Sequence, residues 1–157
     1  MGVGKTTVCR LLKQSTENSA FLDGDWCWDI NPFRVTEETK AMVLDNICHL
    51  LQNFLNCTEI QTVYFCWVMH EQAIIDELVS RLSLTDCRAY PISLVCSPGA
   101  LTARLQADVD AGLRSPDVLA RSLNRLPLYE QLDTCKVDVT NRTPQQTAAY
   151  ILNVGEA

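Results

Sequence analysis

The stretch Met1-Gly2-Val3-Gly4-Lys5-Thr6-Thr7 decides how this chain is read. Gly4-Lys5-Thr6 ends as the phosphate-binding pattern G-x-x-x-x-G-K-[S/T] ends. Glycine lets the backbone bend and approach an anion, so that consecutive N–H groups wrap it. The lysine reaches the outer phosphates, and the following hydroxyl ligates magnesium. A helix opening at the loop adds the positive end of its dipole. Gly2, Val3, Gly4, Lys5, Thr6 and Thr7 are therefore the expected nucleotide-binding loop. The pattern's first glycine belongs two residues ahead of Met1, and the strand that should feed the loop is missing from the sequence. Met1 is accordingly expected to lie inside the loop of a longer parent. Met1-Gly2-x-x-x-Thr6 also fits the N-myristoylation pattern, but the phosphate loop already accounts for those letters.

Outward from the loop, apolar spacing predicts alternating helices and strands. Residues 6–15 read as a helix through Val8, Leu11 and Leu12, and residues 20–25 as a short buried strand ending in acid. Thr36 caps a helix from Glu37 to about Leu55. Thr62 to Val68 is a continuous run of β-branched and aromatic residues, as in a strand covered on both faces. Helix follows over 71–82, strand over 90–96, helix over 99–109 and a further helix from Ser115-Pro116-Asp117. A last strand spans 136–140. Thr143-Pro144-Gln145-Gln146 then opens a final helix to about Asn153. No hairpin signature interrupts the alternation, so the expected fold is an α/β layered domain with a mostly parallel sheet. One domain is expected over 1–157. The weakly apolar segment 106–117 is its natural lid.

Bulk composition narrows the partners. A net charge of −6 and a pI near 4.8 argue against nucleic acid or an anionic membrane. The eight cysteines form no C-x-x-C pair and mostly lie in apolar runs, as reduced thiols of a cytoplasmic protein do. No apolar run has membrane-spanning length. The expected partner is a small-molecule acceptor, on a monomer or weak homodimer.

Ligands of parallel sheets gather beyond the carboxyl ends of the strands. Asp23-Gly24-Asp25 falls there, and side chains two apart on a strand share a side. Asp23 is expected to hold magnesium with Thr6, and Asp25 to prepare the acceptor hydroxyl. Arg104, Arg114, Arg121 and Arg125 follow the strand over 90–96, and guanidinium suits the charge spread over a migrating phosphoryl group. Arg114 and Arg121 are the expected charge stabilisers. His70, at the ligand end of a buried strand, and Arg34, in the loop after the acid pair, are candidate substrate contacts. Trp26 and Trp28 either wall a pocket or cover the core.

The chain resembles the small P-loop kinases of the shikimate kinase and gluconate kinase group, with chloramphenicol phosphotransferase and nucleotide kinase-like proteins nearby. The residues that carry the resemblance are Gly4-Lys5-Thr6-Thr7, Asp23-Gly24-Asp25, Arg125-Leu126-Pro127-Leu128-Tyr129, and Lys136 through Pro144. The resemblance implies a parallel sheet in order 2-3-1-4-5 with its first strand missing here, a helical lid, and ATP with Mg2+. It also implies that Arg104 packs on adenine, that Arg114 closes over the phosphates, and that Arg125 holds an acceptor carboxylate. Asn141 to Pro144 would form the adenine-side loop. Val68-Met69-His70-Glu71 stands where shikimate kinases carry a glycine-rich acceptor loop, which argues against shikimate itself.

The leading expectation is an ATP-dependent phosphotransferase acting on a small molecule. A nucleoside or nucleotide kinase on the same fold is the first alternative. A truncated, non-catalytic nucleotide-binding relative is the second. A large ATPase motor is disfavoured by the short chain. With a central strand missing, the 157-residue chain is expected to be poorly stable or inactive.

Overall fold

The computed structural model describes residues 2–155, so Met1 and the readings that rest on it lie outside the described residues. The first helix, α1, spans Lys5–Ser15 and begins directly at Gly4, whose φ of 90° only glycine adopts easily. Strand β1, Ser19–Asp23, follows. Helix α2 covers Glu37–Leu55. Its start is fixed by a capping box in which Thr36 and Thr39 exchange bonds, with Glu37 and Glu38 at the positive end. Then come β2 (Thr62–Cys66), α3 (Gln72–Ser80), β3 (Ile92–Val95), α4 (Pro98–Asp110), α5 (Val118–Glu130), β4 (Cys135–Asp138) and α6 (Pro144–Gly155).

The alternation and the parallel pairing expected from the sequence are present, but the sheet is in two pieces. Strand β1 pairs in parallel with β2, Ser19 opposite Thr62 through Asp23 opposite Cys66. Strand β3 pairs in parallel with β4, Ile92 opposite Cys135 through Val95 opposite Asp138. These pairs match the 2-3 and 4-5 neighbours of the strand order that the resemblance implies. Among the described residues no strand lies between β2 and β3. Both strands are correspondingly half-exposed along much of their length, where a run such as Thr62–Cys66 is normally covered.

Three apolar clusters hold the layers. Leu22, Val43, Leu44, Ile47, Leu51 and Leu78 join β1, α2 and α3. Leu101, Leu105, Val118 and Val137 join α4, α5 and β4. Val8 and Leu12 of α1 with Ala148 of α6 form the third cluster. Tyr64 of β2 and Leu94 of β3 both pack against it, so it underlies both sheet pieces.

Several boundaries differ from expectation. Strand β1 ends at Asp23, and Gly24–Trp28 coils into a 3-10 turn, so Asp25 is not a strand residue. Helix α5 starts at Val118, two residues beyond Pro116, after a turn closed by Val118 N–H on the Ser115 carbonyl. Strand β4 ends two residues short of Thr140, and α6 continues through Asn153 to Gly155. Of the expected lid, 106–110 belongs to α4 and 111–117 is the connection to α5.

Candidate active site

The phosphate loop is built by local geometry. The first backbone bond of α1 runs from Val8 N–H to Gly4 O at 2.9 Å, so the amides of Lys5, Thr6 and Thr7 have no acceptor within the helix. Gly2 also has positive φ, 77°. A Cβ there would stand 2.6 Å from Leu105 Cδ2, so the loop lies tight against α4.

The end of β1 carries the acids to this loop. Thr6 Oγ1 donates to Asp23 Oδ2 at 2.6 Å, and the Asp25 backbone N–H donates to Asp23 Oδ1 at 3.1 Å. Asp23 is buried, at 5% exposure, with both oxygens engaged. Asp23 and Asp25 are therefore joined by a turn and not by strand alternation. Gly24 is required by packing: a Cβ there would meet the Trp67 ring at 2.5 Å.

Two titrations mark the site. Burial pushes the Lys5 ammonium below its ordinary value, against the pull of Asp25 and Asp23. Asp25 is exposed as a whole residue, yet its carboxyl end is crowded. Burial, then the charge of Asp23, raise its pKa, opposed by Lys5 and Arg114. The loop lysine, the acid pair and Arg114 thus share one electrostatic neighbourhood.

Adenine-side candidates meet in one place. A cleft of 140 Å³ is lined by Gly2, Val3, Gly4, Arg104, Arg142 and Pro144, with Val8, Val139 and Thr147. Arg104 Nη2 is fixed there by the carbonyls of Val139 (2.6 Å) and Thr140 (3.2 Å). Arg142, inside the expected adenine-side loop but singled out for no role of its own, lines this cleft and sits 4.1 Å from the Tyr150 ring centroid. Its place between a strand and a capped helix, in Asn141-Arg142-Thr143-Pro144, was the available signal. Asn141 is exposed and outside the cleft lining. A larger cleft of 420 Å³, beyond β3 and β4, is lined by Ser97, Pro98, Thr140 and the acids Glu130 and Asp138. Size favours it, but its carboxylates do not suit a phosphate.

The other candidates are spread more widely. Arg114 Nε pairs with Asp108 at 2.8 Å while contributing to the field at Asp25. Arg121 Nη2 pairs with Asp117 at 2.8 Å on the surface of α5 and is half-exposed. Arg125 lies close enough to His70 to help lower its pKa, after burial, the first cause. His70 Nδ1 is buried without a hydrogen-bond partner, and its Nε2 is 3.4 Å from Glu71. Arg34 stands on an exposed loop, its carbonyl accepting from Trp28 and Thr39. Trp28 covers the core against Trp67 and Phe33, whereas Trp26 is 51% exposed, edge-on to Phe21.

The residues present fit magnesium with nucleotide phosphates. No group of three His, Cys, Asp or Glu side chains could by itself hold a metal among the described residues. Mg2+ does not need one: it takes one or two protein oxygens and completes its shell with water and phosphate. The Thr6–Asp23 oxygen pair beside the free amides supplies that minimum.

Comparison with known proteins bears on the family and the fold. The family described as AAA domain matches residues 1–114. The fold is similar to the Deinococcus radiodurans tunicamycin resistance protein, at TM-score 0.68 and 18% identity over 95% of this chain and 90% of that one. It is similar to a gluconokinase from Sinorhizobium meliloti 1021, at TM-score 0.64 and 17% identity over 99% and 89%. It is also similar to the shikimate kinase of Bacteroides thetaiotaomicron, at TM-score 0.56 and 16% identity over 100% and 94%. No curated protein matches the sequence. No helix among the described residues is long and apolar enough to cross a membrane.

Proposed function

The chain belongs to the AAA domain family, and on that premise we propose that it is a P-loop kinase, an ATP-dependent phosphotransferase for a small-molecule hydroxyl. The observation that carries the proposal is the chain of contacts Thr6–Asp23–Asp25 at the open amides of α1, with Lys5 and Arg114 in reach of the same charges.

In this reading the amides of Lys5, Thr6 and Thr7 hold the phosphates, and the Lys5 ammonium neutralises the outer ones. Thr6 and Asp23 would hold Mg2+, which when bound would supply charge neutralisation at the phosphates. Asp25 orients the acceptor hydroxyl and takes its proton as the new P–O bond forms. Its pKa, raised by burial and by the charge of Asp23, makes its ionised form a stronger base. Arg114, held at the lid by Asp108, supplies positive charge to the transferring group. Arg121 joins it if its solvent-screened surface pair with Asp117 opens. Arg104, Arg142 and Pro144 line the adenine side. His70 and Arg125 face the acceptor.

A nucleotide binder without transfer activity is the second reading, supported by the strand edges of β2 and β3 that no described strand covers. Transfer of labelled γ-phosphate from ATP to a panel of sugar acids, nucleosides, aminoglycoside-like compounds and phenicol alcohols separates the two. Transfer to one class, abolished in Lys5→Ala and Asp25→Asn, supports the kinase. MgATP binding without transfer to any acceptor supports the binder. Transfer retained in Asp25→Asn removes Asp25 from its role.

A further inference from the structure

Strands β2 and β3 each have one partnered edge and one open edge. Among the described residues, β2 pairs only with β1 and β3 only with β4. In a parallel strand, alternate residues direct both N–H and C=O to the same side. Alternate residues of Thr62–Cys66 and of Ile92–Val95 therefore point their backbone groups away from β1 and β4. The two strands lie over one helical floor. Tyr64 of β2 and Leu94 of β3 both pack on Val8 and Leu12 of α1 and Ala148 of α6. Val63 and Phe65 turn to the other face of β2, onto the cluster of Leu22, Ile47 and Leu78. The slot between β2 and β3 thus combines open backbone edges with apolar side chains above and below.

That combination selects its occupant. Water satisfies the edges but leaves the apolar floor wet. A helix is about 10 Å across and bonds its own backbone, so it offers the edges nothing. A single extended strand, about 4.8 Å from each neighbour, satisfies both. Its side chains would be covered on both faces, which calls for a continuous apolar, β-branched run and not an alternating one. Strands β2 and β3 have five and four residues, which sets its length. Of the 157 residues only Met1, Glu156 and Ala157 fall outside the described ones, too few to make that strand.

We propose that this slot is a strand-acceptor site, which takes one extended apolar segment of that length donated by a second polypeptide. The donated backbone pairs with β2 on one side and β3 on the other, joining the two sheet pieces into one. The chain carries a net charge of −6, so basic residues flanking the segment favour its approach. The site stands whether or not the chain transfers phosphate.

The test uses the full chain and the synthetic peptide Lys-Lys-Val-Ile-Val-Ile-Val-Lys, titrated calorimetrically. A second peptide has proline in place of its central valine. It keeps the charge but loses a backbone donor, so it cannot complete the ladder. Saturable binding is expected, one peptide to one chain, weakened at least about tenfold by the proline. Hydrogen exchange followed by nuclear magnetic resonance then locates the peptide. The slot-facing amides of β2 and β3 should become protected together, with the outer edges of β1 and β4 unchanged. Absence of saturable binding overturns the proposal, as does equal affinity for the two peptides or protection confined to β1 or β4. Slot-facing amides already protected in a dimer of the chain alone also overturn it, because a second copy then fills the slot.

Discussion

Asp25 is where the chemistry is most exposed to test. Burial and Asp23 raise its carboxyl pKa, and only the ionised form can accept a proton. Transfer should therefore fall as the solution is acidified through a pH higher than an ordinary carboxylate would give. Asp23→Asn removes one raising cause and should move that acid limb downward, provided transfer remains measurable. Asp25→Asn should slow transfer by about 10²- to 10⁴-fold, the usual contribution of a positioned base, with MgATP affinity little changed. An acid limb that ignores Asp23→Asn contradicts the electrostatic account. The arginines differ in the same way. Arg114 already acts on Asp25, while Arg121 is occupied at the surface, so Arg114→Ala should reduce kcat more than Arg121→Ala.

At the scale of elements, helices were the most legible part of the sequence. Thr36, Glu37 and the spacing Leu44, Ile47 and Leu51 place α2 with the bounds the structure gives, Glu37–Leu55. Removing the cap in Thr36→Ala should cost about 1 kcal/mol and lower the melting temperature without altering transfer, because α2 starts on an exposed loop. Strand ends were less legible. Gly24 lets the chain leave β1 one residue after Asp23, and the packing that demands glycine there comes from Trp67, far along the sequence. Local alternation could not show that Asp25 reaches the site through a turn. Long-range bonds were equally hidden. Arg104 is held by carbonyls 35 and 36 residues away, and its guanidinium reads from sequence only as a free cation. Arg104→Ala should therefore lose stability as well as nucleotide affinity, by about 1–3 kcal/mol for the carbonyls left without a donor, as read by denaturant titration.

Over the whole molecule the divided sheet is the dominant feature. Backbone groups of parallel strands point alternately to the two neighbours. Every second amide of β2 and β3 should thus exchange rapidly with solvent, while those facing β1 and β4 are protected. Uniform protection in hydrogen exchange followed by nuclear magnetic resonance contradicts this. The two sheet pieces share the cluster of Val8, Leu12 and Ala148, so these side chains couple the halves. Leu12→Ala should cost about 2–5 kcal/mol and separate the urea transition into two steps. The parallel pairs and the helical layers follow from the sequence alternation. The split follows from the order 2-3-1-4-5 without its first strand, which the resemblance implies and which the apolar letters of β2 and β3 alone do not reveal.

The central claim is that Gly2 to Thr7, braced by Asp23, binds nucleotide phosphate. Calorimetric titration of MgATP into the wild-type chain and Lys5→Ala tests it most directly. The account predicts saturable binding to the wild type, weakened at least about tenfold in Lys5→Ala, the equivalent of about 1.4 kcal/mol. Equal affinity in the two proteins contradicts it.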